Sequence, residues 1–193
     1  MCKSVLVLSG LLTLSLWTAQ AANLVVNGDF SNSVPSNGTG GGWTSSHIDY
    51  VGGWHSTGGN PGGMFILNDN GSAGSDPQIV QTITGLTPGA QYTLSGDYAS
   101  WYITGNNGFG LDIDGSNVTK LNRTATKVWT PFSLTINAAS TEMSIRFRAE
   151  IDGGDNDFAI DNISLVAVPE PASIAAVSAL GLLAFGAIRK VRR

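Results

Sequence analysis

Between residues 78 and 166 apolar and polar side chains alternate in a series of short runs, and a period of two turns one face to a core and the other to water. Gln78 to Ile83 and Gln91 to Ser100 are the clearest runs, joined by the turn Leu86-Thr87-Pro88-Gly89. Phe109 to Ile113 and Asn117 to Leu121 read as a hairpin around Asp114-Gly115. Lys127 to Ile136, Glu142 to Ile151 and Phe158 to Val166 complete that half. Upstream, Asn23 to Asn27 reads as a short strand ended by Asn27-Gly28-Asp29, and Met64 to Leu67 as another, followed by the polar loop Asn68 to Pro77. Phe30 to Gly63 is rich in Gly, Ser and Asn, yet its apolar anchors around Trp43 and from His47 to Trp54 are too many for a linker. Helical periodicity is nearly absent. The pattern predicts an all-β domain, a β-sandwich whose expected form is a jelly roll.

Both ends break the alternation. Lys3 followed by the apolar run Val5 to Trp17 and the small-x-small site Ala19-Gln20-Ala21 reads as a secretory signal peptide over residues 1–21, with the mature chain beginning at Ala22. At the other end Pro169-Glu170-Pro171 precedes an uncharged stretch, Ala172 to Ile188, closed by Arg189, Lys190, Arg192 and Arg193. As a helix that stretch is about 25 Å long, just short of a hydrocarbon core, and the basic residues after it favour the cytoplasmic side. Residues 167–193 resemble the PEP-CTERM sorting signal of Gram-negative bacteria. The resemblance implies a transmembrane helix held in the inner membrane before processing, an exosortase as partner, and a final address at the cell envelope, outer surface or extracellular matrix.

Removing the ends changes the charge. Residues 22–168 carry five basic and thirteen acidic side chains, a net −8, which the basic tail masks in the whole-chain value of −4. An acidic exported domain argues against nucleic acid and anionic membrane surfaces as partners, and is compatible with divalent cations and neutral sugars. The single cysteine, Cys2, lies in the leader, so the mature domain has no disulfide, cysteine metal site or cysteine nucleophile.

Three segments carry a second resemblance. Asn27-Gly28-Asp29-Phe30, the run Ile83-Thr84-Gly85-Leu86-Thr87-Pro88-Gly89-Ala90-Gln91-Tyr92-Thr93-Leu94, and Phe158-Ala159-Ile160-Asp161-Asn162-Ile163-Ser164-Leu165 together resemble the galactose-binding-like carbohydrate-binding modules of the family 4/9 type. Across residues 22–166 that resemblance implies a β-jelly roll that binds glycans without cutting them, with a structural calcium near the paired termini. It makes Asp161 a calcium ligand, helped by main-chain oxygens of the Asn27 to Phe30 turn. This chain has Ser31 where the family often has an acidic residue. Calcium takes several hard oxygen ligands on loops. Asp152, Asp155 and Asp157 in the run from Glu150 offer that composition, and a solvated Asp/Gly-rich loop without an ion is the equally open reading.

Sugar recognition needs flat apolar area for C–H faces and planar polar groups for hydroxyls. Trp129, in an alternating run, and Trp43 are assigned to packing. Tyr50, Trp54 and His55 in a Gly-rich loop, and Trp101 and Tyr102 at a strand end, are the ligand candidates, with Asn106 and Asn107 as hydroxyl partners. The competing reading is that each aromatic caps the core. Catalysis has little to build on. His47 and His55 are the only histidines, no G-x-S-x-G-type nucleophile motif accompanies them, and no pair of carboxylates has a fixed spacing. The expectation is a secreted, exosortase-sorted surface or matrix protein that binds a glycan or exopolysaccharide non-catalytically. A structural adhesion protein is the alternative, and a glycoside hydrolase is third.

Overall fold

The computed structural model describes residues 21–49, 51–68, 76–103, 108–149 and 156–169. Residues 1–20 of the expected signal peptide 1–21, and the expected sorting signal from Glu170 onward, lie outside the described residues.

Eleven strands are described: β1 (Gly38–Gly40), β2 (Trp43–Ser46), β3 (Gly53–Gly59), β4 (Gly62–Leu67), β5 (Gln78–Thr84), β6 (Gln91–Ile103), β7 (Phe109–Ile113), β8 (Ser116–Leu121), β9 (Thr130–Asn137), β10 (Glu142–Ala149) and β11 (Asn156–Ala167). They form a six-stranded sheet in the order β1-β2-β5-β10-β7-β8 and a five-stranded sheet in the order β3-β4-β11-β6-β9. The described ladders are antiparallel, and no helix occurs among the described residues. The domain is an all-β sandwich of two packed sheets.

Alternation explains the core. Met143, Ile145, Phe147 and Ala149 of β10 face inward, opposite Phe65 and Leu67 of β4 and Phe158 and Ile160 of β11. Phe109 stacks on both Phe147 and Phe158, with ring centroids 5.7 and 5.1 Å apart, and so joins the two sheets. Each such ring contributes about 1.5–3 kcal/mol by burial.

The Asn- and Gly-rich beginning folds by a different device. Asn23 to Asn27 is not a ladder strand. Side-chain amides take the place of strand partners there: Gln81 accepts from Val26 N at 2.8 Å and donates to Val26 O at 2.9 Å, while Asn23 Oδ1 accepts from Val25 N and Leu165 N. Asn27 clamps Asn32, and Asn37 clamps Ile48, each through one accepted and one donated bond. The Asn27-Gly28-Asp29-Phe30 turn is anchored by two indoles, Trp43 Nε1 donating to Asn27 O and Trp54 Nε1 to Phe30 O. Gly28 is required at that turn, because a Cβ there would lie 1.9 Å from the Ile163 carbonyl of β11.

Candidate functional site

The outer face of the five-stranded sheet carries an apolar patch. Met64 and Ile66 alternate with the core residues Phe65 and Leu67, so they point away from the core, and Ala159 of β11 pairs directly with Ile66. All three are nevertheless buried, because Trp101 and Trp129 pack over them. Trp101 is the extra residue at a β-bulge: Phe158 pairs with Ser100 and Asp157 with Tyr102, which leaves the indole between two registers and turns it outward. Ser100 staples the following segment to β6. Its hydroxyl accepts from Thr124 N, its amide donates to Thr124 Oγ1, and its carbonyl accepts from Lys127 N at 2.7 Å. That staple brings Lys127 to Trp101, the ammonium 4.8 Å from the ring centroid, and Trp129 to the same apolar floor. Both indoles remain partly exposed.

Trp129 is therefore not the core residue its sequence context suggests. Strand β9 starts only at Thr130, and Lys127 has φ 58°, so the alternation read through Trp129 does not extend that far. Trp43 is fully buried, stacked on Phe30 and tilted against Phe147.

Trp54 and His55 go to opposite sides of β3. Trp54 pairs with Phe65 and packs half-buried against the main core, its indole held by Phe30 O at 2.7 Å. His55 pairs with Met64 on the outer side, and its Nε2 lies 2.8 Å from Val51 O. Trp54 and Trp101 thus do not line one groove. Tyr102 belongs to β6; Tyr50, Asn106 and Asn107 lie outside the described residues.

The acidic candidates also separate. Asp157 and Asp161 stand on one strand about 13 Å apart at normal strand rise, and Asp157 is buried where it accepts from Asn68 Nδ2 at 2.9 Å. Asp152 and Asp155 lie outside the described residues. Asp161 is fully buried at the β11 bulge beside Asn162, whose φ is 54°. Its Oδ1 accepts from Asn162 N at 2.7 Å and its Oδ2 from Asn60 N. Burial pushes its carboxyl up to about 6 against those two bonds, and Asp97 and Asp29 push the same way. Asp97 in turn accepts from the amides of Asn60 and Asn162. The groups aimed at Asp161 are thus N–H donors, the Asn27 and Phe30 carbonyls already accept from indoles, and no group of three acidic or histidine side chains that could hold a metal converges among the described residues. The described donors form a hydrogen-bonded latch between the β3–β4 hairpin and β11.

Solved structures share this architecture. A family 61 carbohydrate-binding module in complex with β-1,4-galactotriose superposes with a TM-score of 0.54 at 15% identity, over 77% of this chain and 100% of the module. A family 16 carbohydrate-binding module gives 0.51 at 20% identity, over 75% and 99%. The enzymatically active domain of bacteriophage CBA120 tailspike protein 4 gives 0.52 at 18%, over 76% of this chain and 21% of that one. The chain shares their fold. In sequence, halomucin of Haloquadratum walsbyi (strain DSM 16790 / HBSQ001) is 28% identical over 184 residues, 89% of this chain; the chain spans 2% of halomucin's length. No family model matches the chain.

Proposed function

We propose that residues 22–166 form a non-catalytic carbohydrate-binding module of an exported protein sorted by its Pro169-Glu170-Pro171 signal to the cell surface or matrix. The observation that carries this reading is the Trp101–Trp129 pair on the outer face of the five-stranded sheet. Large, partly exposed indoles over an apolar floor suit the C–H face of a sugar ring, and they lose little side-chain entropy on binding. The fold shared with carbohydrate-binding modules supports the same reading. Lys127 covers one ring face through an interaction of about 0.5–1 kcal/mol at an exposed site, weak enough for a ligand to displace. No bond is broken in this mechanism. Binding is stacking plus hydrogen bonding on a rigid sheet.

The structural-adhesion reading draws on one observation, that Trp54 is used to hold the Phe30 turn and cap the core. Glycan-array binding of the purified protein, beside a Trp101→Ala/Trp129→Ala variant shown to be folded, separates the two. Selective binding lost in the variant supports the module. Absence of binding to any glycan supports the scaffold.

A further inference from the structure

Beside the Trp101 ring stands an ammonium that no described carboxylate holds. Lys127 is exposed, and its Nζ lies 4.8 Å from the ring centroid. The backbone that carries it is fixed next to the indole: Lys127 N donates to Ser100 O at 2.7 Å, and Val128 N closes a turn on Ala125 O at 3.0 Å. Lys127 also has φ 58°, a left-handed conformation that a residue with a side chain adopts at a cost and glycine adopts freely. Strained positions of this kind gather at functional sites. Neither the bond to Ser100 nor the turn uses the lysine side chain, whose described contact is the Trp101 ring.

Among the described residues Lys127 forms no ion pair, although residues 22–168 carry thirteen acidic side chains against five basic ones. The carboxylates of the same outer face are engaged elsewhere. Asp161 and Asp97 face each other across β11 and β6, held by backbone and side-chain amides of Asn60 and Asn162. Asp97 is four residues from Trp101 along β6, about 13 Å at normal strand rise. Asp157 pairs with Tyr102 beside Trp101, but it is 4% exposed and accepts from Asn68 Nδ2. Arg123, in the same stapled segment as Lys127, has a contact of its own, and His55 is bonded to Val51 O. A sugar that stacks on Trp101 displaces the Lys127 ammonium, which stays tethered beside it. A neutral sugar gives that cation no new partner, and a cationic sugar meets it as a like charge. A sugar with an anionic group receives it, and an ion pair replaces the cation–π contact.

We propose that Lys127 determines the specificity of the Trp101–Trp129 face, which takes a sugar bearing an anionic substituent, a carboxylate or a sulfate ester, in preference to its neutral counterpart. The inference rests on that face being the sugar platform. Lysine is a point charge without the planar fork of arginine, so both substituents suit it. The ion pair forms near water and its gain is modest. The indoles decide whether a glycan binds, and Lys127 decides which one is preferred.

The experiment is a glycan array of matched pairs probed with the purified full chain, followed by calorimetry on the pairs that bind. One arm sets uronate oligosaccharides against their neutral methyl esters, a second sets sulfated against unsulfated chains, and a third sets free-amino against N-acetylated chains. Wild type is expected to bind the anionic member about three- to fivefold more tightly than its neutral partner in one or both of the first two arms, and the arm names the substituent. Lys127→Gln keeps most of the stem and removes the charge. It should bring that ratio to one or below, because the rest of the domain is acidic, with neutral binding equal or higher. Lys127→Arg should retain the preference, and Trp101→Ala/Trp129→Ala should remove both members of each pair. Neutral members bound as well as anionic ones by wild type, and lost in the tryptophan variant, overturn this inference and leave the platform standing. An anionic preference that survives Lys127→Gln, anionic binding that survives the tryptophan variant, or a preference for the free-amino member overturns it too. Absence of binding to every pair overturns the platform and the inference together.

Discussion

The two outer faces of the sandwich rest on one core and are chemically opposite. The five-stranded face hides Met64, Ile66 and Ala159 beneath two partly exposed indoles. The six-stranded face hides a carboxylate beneath two guanidinium groups. In both, a residue that strand alternation turns outward is buried by a longer side chain arriving from elsewhere in the fold. The bulge at Trp101 and the Ser100 staple do this on one face; the neighbouring strand β10 does it on the other. A β-sandwich fixes which residues leave the core, and the side chains that fall across them decide whether that surface is apolar and stacking or ionic and hydrogen-bonding.

The comparison breaks first where the faces share support. Phe109→Ala removes the ring that joins Phe147 to Phe158, and an expected loss of about 3–5 kcal/mol in denaturant unfolding should abolish neutral-glycan binding on the five-stranded face. A variant destabilised to that extent that still binds would show that the five-stranded face does not depend on this core contact.

Asp112→Ala should cost about 2–3 kcal/mol, below the usual range for buried ion pairs because Arg146 is partly in water, and should leave the Trp101–Trp129 face intact. The check is urea unfolding alongside neutral-glycan binding. Loss of neutral-glycan binding in this variant would mean that the sheets communicate.

Asp161 tests the latch that sits apart from either face. Its folded pKa is raised, so the folded state holds more protons than the unfolded state between about pH 4 and 6. Its contribution to stability is full below the unfolded value of 3.8 and is lost as pH rises through about 6, by about 3 kcal/mol. The melting temperature of the wild type should therefore fall relative to Asp161→Ala across that window. A difference that is flat with pH removes the buried-acid reading. The same melts with calcium and with a chelator test the ion: the latch predicts superimposable curves, and a clear rise in calcium would restore Asp161 as a ligand.

Removing the roof of the five-stranded face by Trp101→Ala/Trp129→Ala should weaken neutral-glycan binding at least about tenfold while costing about 1–2 kcal/mol of stability through exposure of Met64 and Ile66. Lys127→Ala is the mildest change. It removes a cation–π contact of about 0.5–1 kcal/mol, uncovers a ring face, and should leave neutral-glycan affinity equal or higher in calorimetry.

Much of the fold was legible because regular strands leave a period of two. Runs at Gln78, Gln91, Phe109, Glu142 and Phe158 all became strands close to their expected limits. The reading failed where side chains replace the ladder. Asn23 to Asn27 has a strand-like composition, but Asn23 and Gln81 supply much of its pairing. It also failed at Trp129, where a left-handed Lys127 ends the alternation one turn before the strand begins. Of the sugar candidates, Trp101 reads as the end of a strand although it sits at a bulge inside β6, and Trp54 faces the core. Asp112 gave no local signal, since an Asp next to a Gly-containing hairpin reads as turn chemistry.

By itself the sequence determined the two-sheet class, the inward set of apolar side chains and the acidic character of the domain, because each depends on local periodicity or on composition. Only the tertiary structure decided what lies on the outer faces. Trp101 and Trp129 share one apolar floor because Ser100 meets Thr124 across 24 residues, Arg146 meets Asp112 across 34, and Asp161 meets Asn60 across 101. Such meetings are set by strand order and register, which the period of two does not encode.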